Sequence, residues 1–198
     1  MGYIKDCLLI RNSVGDAASF GSILGENLKE QLTAKRYSVI ELSGDAATPS
    51  NVRYFLATNT GRISKMITFI GAGTKDELIC EKNGVILPLM TKSNVGGFTK
   101  NLDVLTFASK TASVGGIGET AVRAGCHSWL GYTANVGLDA AFIKETEEAL
   151  LHYIISVLTR KPPKLCASEF EAEYGRLAGK SKIMKADKDC LRLINFYD

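Results

Sequence analysis

Short apolar runs alternate with amphipathic segments along the first seventy residues, and this rhythm limits the fold more than any other feature. The runs 7–11, 37–42 and 66–70 are rich in aliphatic and β-branched residues and have the length of buried strands. Between them, apolar residues recur at helical spacing. A strand–helix–strand–helix–strand order predicts parallel strands joined by right-handed crossovers. We therefore predict an α/β fold, a three-layer sandwich whose mostly parallel central sheet has helices on both faces.

The pattern changes after residue 70. Asn83-Gly84 lies inside the β-prone stretch 77–89, and Asn-Gly between two such runs is the strongest short signal for a hairpin. We predict a β-hairpin insertion near residues 77–89. The apolar runs 104–107 and 128–133 then predict two further strands of the central sheet.

A long amphipathic helix is predicted from Asp139 to the residues before Pro162-Pro163. Beyond the prolines, Ser168 and Glu171 have the spacing of a capping box, which predicts that the next helix begins there.

Residues 179–189 are rich in charged side chains and are predicted to be a linker, and residues 190–197 have the composition of a last strand, which could lie at the sheet edge. The length of 198 residues suits one domain with a substantial core. We predict a single domain over 1–198, with its core in 7–160 and a C-terminal helix and edge strand in 164–198.

Composition and charge exclude several classes of function. The net charge is +3 and no block of Lys or Arg stands out, so we expect no nucleic-acid partner. No run approaches the ~18 apolar residues of a membrane span, and the first residues lack the pattern of a signal peptide. Five cysteines without a Cys-x-x-Cys pair favour reduced thiols in a cytoplasmic protein over disulfides or a metal site. We expect no cofactor.

Two glycine-rich segments, 71–73 and 114–118, invite a nucleotide-binding interpretation. A dinucleotide fingerprint belongs to the first strand–helix turn, but that turn, residues 12–16, has a single glycine. The chain also lacks the Gly-Lys-Ser/Thr sequence of a phosphate-binding loop. Nucleotide binding is therefore not the function that we predict.

The two histidines offer no obvious catalytic pair. Cys126 and His127 are neighbours in sequence, and neighbours on a strand point to opposite faces, so they cannot readily share the hydrogen bond that activates a thiol. We predict a core cysteine beside a structural histidine. His152 lies within an amphipathic helix and is predicted to be a surface or boundary residue.

Two of the predicted strands end abruptly in small or polar residues. The run 66–70 ends in Gly71-Ala72-Gly73, and the run ending at Phe107 continues as Ala108-Ser109. Ligands collect at the carboxyl ends of parallel strands, because the loops there rise out of the sheet. We predict that Ala72 and Ser109 are the two centres of the functional site.

The two segments together resemble the caspase-like cysteine peptidases, a group that includes the caspase, gingipain, legumain, separase and CHAT families. In that group one strand ends in Phe-Ile-Gly-His-Gly or a similar sequence, and the next ends in a cysteine that follows Ala or Gly. The matching residues are Phe69 to Leu78, Phe107 to Ala112 and Gly131 to Thr133. The resemblance covers roughly 7–160 and is tightest over 66–139.

The chain departs from this pattern at both catalytic positions. Ala72 stands where the family has its histidine, and Ser109 where it has its cysteine nucleophile. Loss of the base and of the thiol predicts a chain that is inactive as written. The flanking residues Gly71, Gly73 and Ala108 match the family, which favours a deliberately disarmed protease over a natural pseudopeptidase, because a decayed site would drift around its lost residues. Both explanations stay open.

The resemblance also implies roles for neighbouring residues. The backbone N–H of Gly73 and that of the nucleophile position would stabilise the oxyanion. Specificity would come from the loop after the fifth strand, which includes Tyr132 and Thr133. Asp139, with Asp76 as second candidate, would receive a basic side chain at P1, the substrate residue before the cleaved bond. Asp139 could instead cap the long helix, or serve both purposes.

Two classes of function follow. The first is a cysteine endopeptidase, a hydrolase of a bacterial or phage-linked defence system, which cleaves a protein or peptide under the control of an activating ligand or subunit. The second is a non-enzymatic module that keeps the peptide- or ligand-binding cleft of a dead peptidase. Oligomers formed through the edge strand are compatible with either.

Overall fold

A computed structural model describes residues 6–12, 14, 17–58 and 64–196. Most strands belong to one six-stranded sheet with the order β2-β1-β3-β6-β7-β8. All neighbours in it are parallel except β8, which runs antiparallel to β7. The strands of this sheet are β1 (Asp6–Arg11), β2 (Ser38–Ser43), β3 (Ser64–Ile70), β6 (Asp103–Phe107), β7 (Ser128–Tyr132) and β8 (Leu191–Asn195).

Helices cover both faces of the sheet, so the predicted three-layer α/β architecture is confirmed. One face packs on α1, α5, α6 and α7, with Leu28, Ile154 and Phe170 fully buried. The other face packs on α2, α4 and the hairpin, with Val52 and Leu78 fully buried. The helices are α1 (Ala17–Ala34), α2 (Pro49–Thr58), α3 (Gly96–Thr99), α4 (Ile117–Arg123), α5 (Ile143–Leu158), α6 (Pro163–Ala178) and α7 (Lys182–Cys190).

The hairpin insertion is also confirmed. It consists of β4 (Glu77–Lys82) and β5 (Val85–Thr91), which pair antiparallel as a separate two-stranded sheet. At its tip Asn83 has a φ of 52° and Gly84 a φ of 75°. Two consecutive left-handed residues form the tight turn that matches the twist of a hairpin, and Asn-Gly is the pair that adopts it most readily.

The start predicted for the helix after the prolines is wrong. α6 begins at Pro163, and Ser168 lies in its interior, where its hydroxyl donates to Leu165 O over 3.0 Å. Proline fits the first turn of a helix, because its φ is already helical and its missing N–H would have no partner there. The spacing of Ser168 and Glu171 is therefore not a helix start in this chain.

The predicted charged linker is a helix, α7, and that prediction is also wrong. Ser181 caps it by accepting a hydrogen bond from Met184 N over 3.3 Å. Its buried face consists of Met184, Asp187 and Cys190, one residue in three. Because one of these positions is an aspartate, the apolar periodicity that marks an amphipathic helix is hidden in the sequence.

The strand after α7, β8, lies at the edge of the sheet as predicted. The long helix α5 begins at Ile143, after a 3-10 turn over Ala140–Phe142 that Asp139 caps. Residues 13, 15 and 16 of the first turn, the first five residues and Tyr197 of the predicted last strand lie outside the described residues. Within the described ranges, every helix is too short or too polar to cross a membrane.

Candidate active site

The two predicted centres of the site lie at the same level of adjacent strands. Ile70 and Phe107 are paired in register across β3 and β6. Ala72 and Ser109 each follow two residues later, beyond the carboxyl ends of these strands. Both line one cavity of about 370 Å³, as the sequence led us to expect for loops at this edge of a parallel sheet.

Backbone hydrogen bonds fix the loop that carries Ala72. Gly71 N donates to Phe107 O over 3.2 Å, which joins the loop to the neighbouring strand. Ile79 N donates to Ala72 O over 3.0 Å, and the Asn12 side-chain amide donates to Ile79 O. Asn12 is buried at the end of β1. The loop is thus held between β1, β6 and the hairpin.

Gly73 allows the two site loops to touch. A Cβ placed on it would lie 2.8 Å from Thr111 Cγ2 and 3.1 Å from Ala108 Cβ, closer than side chains pack. Gly73 forms an antiparallel bridge with Leu78. In this bridge the hydrogen bonds come from the flanking residues, so the Gly73 N–H points away from Leu78.

Two backbone donors at the site are not used within the described part of the chain. Neither the Gly73 N–H nor the Ser109 N–H has a hydrogen-bond acceptor there. Both belong to residues that line the cavity. A pair of unused N–H groups beside one cavity is the arrangement that stabilises an oxyanion, if both point at the same place.

The residue after Ser109 has a strained backbone. Lys110 has a φ of 62°, although it is not a glycine, and its N–H donates to Ala134 O over 2.9 Å. Non-glycine residues adopt this left-handed region rarely, and they do so more often at functional sites. The side chain of Lys110 is exposed. Lysine gives no sequence signal for a left-handed turn, so this feature was not predictable.

The loop after β7 contacts Ser109 directly. Val136 N donates to Ser109 Oγ over 3.1 Å, and Val136, Gly137 and Leu138 form one wall of the cavity. The lining also includes Ile70 and Phe107. The described part of the cavity lining is therefore largely apolar.

An ion pair at the sheet edge supports the loop after β6, which carries Ser109. Arg192 on β8 donates to Ala112 O over 2.9 Å and to Glu119 Oε1 over 2.8 Å. The Gly115 N–H, then Arg192, lower the pKa of Glu119, so it stays ionised. This role was not predictable from the sequence, since Arg192 is eighty residues from Ala112, which it holds.

Asp139 does not cap the long helix as predicted, since α5 begins at Ile143 with Phe142 at its N-cap; it caps the 3-10 turn Ala140–Phe142 that precedes this helix. Its Oδ1 accepts from Ala141 N over 3.1 Å, and its Oδ2 accepts from Ser181 Oγ over 2.6 Å. Its neighbour Leu138 lines the cavity, whereas Asp139 is not among the lining residues. Recognition of a basic P1 side chain by Asp139 stays a prediction.

The other predicted substrate-binding residues lie in different surroundings. Asp76 is exposed and pairs with Lys92 over 3.3 Å. Thr133 donates through its hydroxyl to Cys190 O over 3.1 Å, which ties the loop after β7 to the end of α7. The predicted substrate contact of Tyr132 does not fit its position. Its ring is fully buried and its hydroxyl lies 3.3 Å from that of Tyr174, so Tyr132 supports the site from the core.

The cysteine–histidine neighbours lie at the amino end of β7, far along the strand from the cavity. Cys126 is fully buried and donates to Leu102 O over 3.2 Å, and burial raises the pKa of its thiol to about 12. The predicted core cysteine is confirmed, while His127 is exposed. His152 is exposed on α5, within the prediction of a surface or boundary residue. The described residues contain no cluster of three or more potential metal ligands.

A scan against protein-family models gives no match, and a search of curated proteins gives none either. The geometry of the cavity is therefore the main guide to function.

Proposed function

We propose that this chain has the scaffold of a caspase-like cysteine endopeptidase whose two catalytic positions, Ala72 and Ser109, carry inactive residues. The observation that carries this proposal is their placement. They follow aligned positions of neighbouring parallel strands, and both line one cavity. The unused N–H groups of Gly73 and Ser109 beside the same cavity support it further.

The chemistry of an active parent follows from these positions. A cysteine at position 109 would attack the scissile carbonyl carbon as a thiolate, and a histidine at position 72 would hold the thiol proton. The carbonyl oxygen would become an oxyanion beside the N–H groups of Gly73 and of residue 109. Collapse of the tetrahedral species would break the C–N bond, with the imidazolium giving its proton to the leaving amine. Water would then hydrolyse the thioester and restore the thiol.

The chain as written lacks both groups that this chemistry needs. A serine hydroxyl has a far higher pKa than a thiol, and no base occupies position 72. In the disarmed-protease explanation, the protein is a bacterial or phage-linked effector that acts on a protein partner in the cytoplasm. The buried thiols Cys80, Cys126 and Cys166 are in keeping with a reducing compartment.

A second function is supported by the state of the cavity. Its volume of about 370 Å³ and its apolar walls suit a side chain of a bound peptide or a small ligand, and binding requires neither catalytic group. In this alternative the chain is a natural pseudopeptidase that acts as a peptide- or ligand-binding module.

Restoration of both catalytic groups tests the proposal. The double variant Ala72→His with Ser109→Cys is assayed beside the chain as given, on fluorogenic peptides that differ only at P1. Cleavage by the restored variant alone supports the disarmed protease, and a preference for Arg or Lys at P1 supports the proposed basic specificity. Cleavage after other residues keeps the protease and contradicts that specificity.

Silence of the restored variant, with and without host-cell extract as a source of activator, counts against the protease. The matched control is Ala72→His with Ser109→Ala, which has the imidazole but no nucleophile. Activity in this control would trace the signal to a contaminating peptidase.

A further inference from the structure

Helix α7 holds the loop after β7 at three points. Thr133 N and Oγ1 both donate to Cys190 O, at the C-terminal end of the helix. Ser181 Oγ donates to the Asp139 carboxylate at the other end. Between them, Asp187 Oδ1 accepts from Gly137 N over 3.0 Å. Of these three attachments, that of Asp187 acts on the part of the loop that lines the cavity.

The Asp187 carboxylate has unusual surroundings. It is 1% exposed, and its Oδ2 is buried without a hydrogen-bond partner. No cation of the described residues forms an ion pair with it. Gly137 lies close against the same helix, because a Cβ there would be 2.9 Å from Ile183 Cγ2. A buried carboxylate with one backbone donor and one unpaired oxygen is costly, so a structural role alone would be served as well by asparagine.

We propose that Asp187 is a positioning residue of the candidate active site, whose ionised carboxylate holds the cavity wall Val136–Leu138 in place through the Gly137 N–H. The importance of this wall for a reaction rests on the proposed function, whereas the attachment itself does not. Through the same loop, Asp187 also fixes the Val136 N–H that donates to Ser109 Oγ.

The attachment depends on charge. An ionised carboxylate accepts a stronger hydrogen bond from an N–H group than a protonated one does. Burial raises the pKa of Asp187 to about 6, so it titrates in the range where enzymes are assayed. The titratable groups that face it are Tyr132 from β7, Tyr174 from α6 and Cys190 from its own helix. Burial raises the pKa of all three, so they stay neutral near pH 6. The loop's own carboxylate, Asp139, is bound by Ser181 and Ala141.

The Gly137 amide reports this attachment directly, without any substrate. In the ¹⁵N-labelled protein without substitutions, we expect the chemical shift of the Gly137 amide proton to move upfield as the pH falls from about 8 to about 4.5. The midpoint should lie near the pKa of Asp187. Asp187→Asn keeps an acceptor oxygen but cannot titrate, so its Gly137 signal should stay flat. Asp189→Asn removes an equal charge from an exposed position of the same helix and should leave the titration intact. A Gly137 signal that does not titrate, or titrates equally in Asp187→Asn, overturns the proposal.

Activity gives the second readout. In the restored background (Ala72→His with Ser109→Cys), Asp187→Ala should lower kcat/KM roughly tenfold above pH 7, and Asp187→Asn, which keeps an acceptor oxygen but not the charge, should recover only part of this loss. The activity of Asp187→Asn relative to that of the protein with Asp187 should rise as the pH falls below about 6. Only the carboxylate can be protonated, and protonation weakens its hydrogen bond to the wall. A ratio that is independent of pH overturns the proposal. A loss of selectivity for basic P1 side chains in Asp187→Asn also overturns it, because it would indicate that Asp187 binds the P1 side chain directly. If the restored background is inactive, the proposed function fails, and the Gly137 titration alone still decides the role of Asp187.

Discussion

Val136 donates its backbone N–H to Ser109 Oγ over 3.1 Å, so the loop after β7 that lines the cavity is joined directly to the loop after β6. In the proposed peptidase these two elements would have different tasks, since one would recognise the substrate and the other would react with it. A direct hydrogen bond makes their positions interdependent. A cysteine at position 109 would bring a larger and weaker acceptor, so the wall and the nucleophile would adjust together.

Imidazole should partly replace the missing side chain at position 72. Ala72 lines the cavity, and truncation of a histidine to alanine leaves a space that a free imidazole molecule can enter. In the single variant Ser109→Cys, we expect slow peptide cleavage that rises with imidazole concentration and then saturates. The measurement is the initial rate on a fluorogenic peptide at fixed pH. The chain as given should not respond, and an equal response from it would show that imidazole itself attacks the substrate.

Gly73→Ala should destabilise the protein by about 1–3 kcal/mol, because its methyl group would overlap Thr111 and Ala108. The same change in the restored background should abolish cleavage, since it displaces one of the two candidate oxyanion donors. Chemical denaturation measures the first effect. Gly97→Ala is the matched control, because a Cβ there meets nothing within 4 Å and alanine favours its short helix. Equal unfolding free energies of the two variants would contradict the close packing of the loops.

Asp139→Asn should separate the two roles of this residue. Asparagine caps a helix about as well as aspartate, so the free energy of unfolding should change little, whereas Asp139→Ala should cost about 1 kcal/mol. If Asp139 recognises a basic P1 side chain, Asp139→Asn in the restored background should lower kcat/KM for Arg and Lys peptides and spare the others. Unchanged selectivity in a stable Asp139→Asn protein would leave capping as its only role.

The pH dependence of stability should carry the signature of Asp187. Burial raises its pKa from 3.8 to about 6, so the folded state binds this proton more tightly than the unfolded state. Its contribution therefore destabilises the fold as the pH rises from about 4 to about 6, by at most about 3 kcal/mol, and is constant above that range. Relative to the chain as given, Asp187→Asn should gain unfolding free energy across this window. A difference between the two proteins that does not vary with pH would contradict the raised pKa.

The sheet and the two site loops could be predicted because their signals are local. Each buried strand is a short apolar run, and the hairpin tip at Asn83-Gly84 follows from backbone sterics alone. The placement of Ala72 and Ser109 follows from parallel strands that end at the same edge. These features depend on residues near one another in the chain.

The supports of the site could not be predicted, because they join distant parts of the chain. Asp187 breaks the apolar pattern of α7, and its burial makes sense only once the loop around Gly137 is in place. Arg192 would be read from sequence as a surface charge, yet it binds Ala112 O. Lys110 adopts a left-handed backbone that no local propensity favours.

The order of these elements along the chain has a consequence for biosynthesis. Positions 72 and 109 leave the ribosome early, whereas α7, which holds the cavity wall, begins some seventy residues after position 109, and β8, which holds the loop after β6, follows α7. A nascent chain that ends before Asp187 lacks the acceptor for Gly137, and one that ends before Arg192 lacks the donor for Ala112 O. Since domains fold as units during synthesis, an active parent would complete its catalytic site only when these late elements dock. A chain that is still being synthesised would therefore not yet cleave the proteins around it, including other copies of itself.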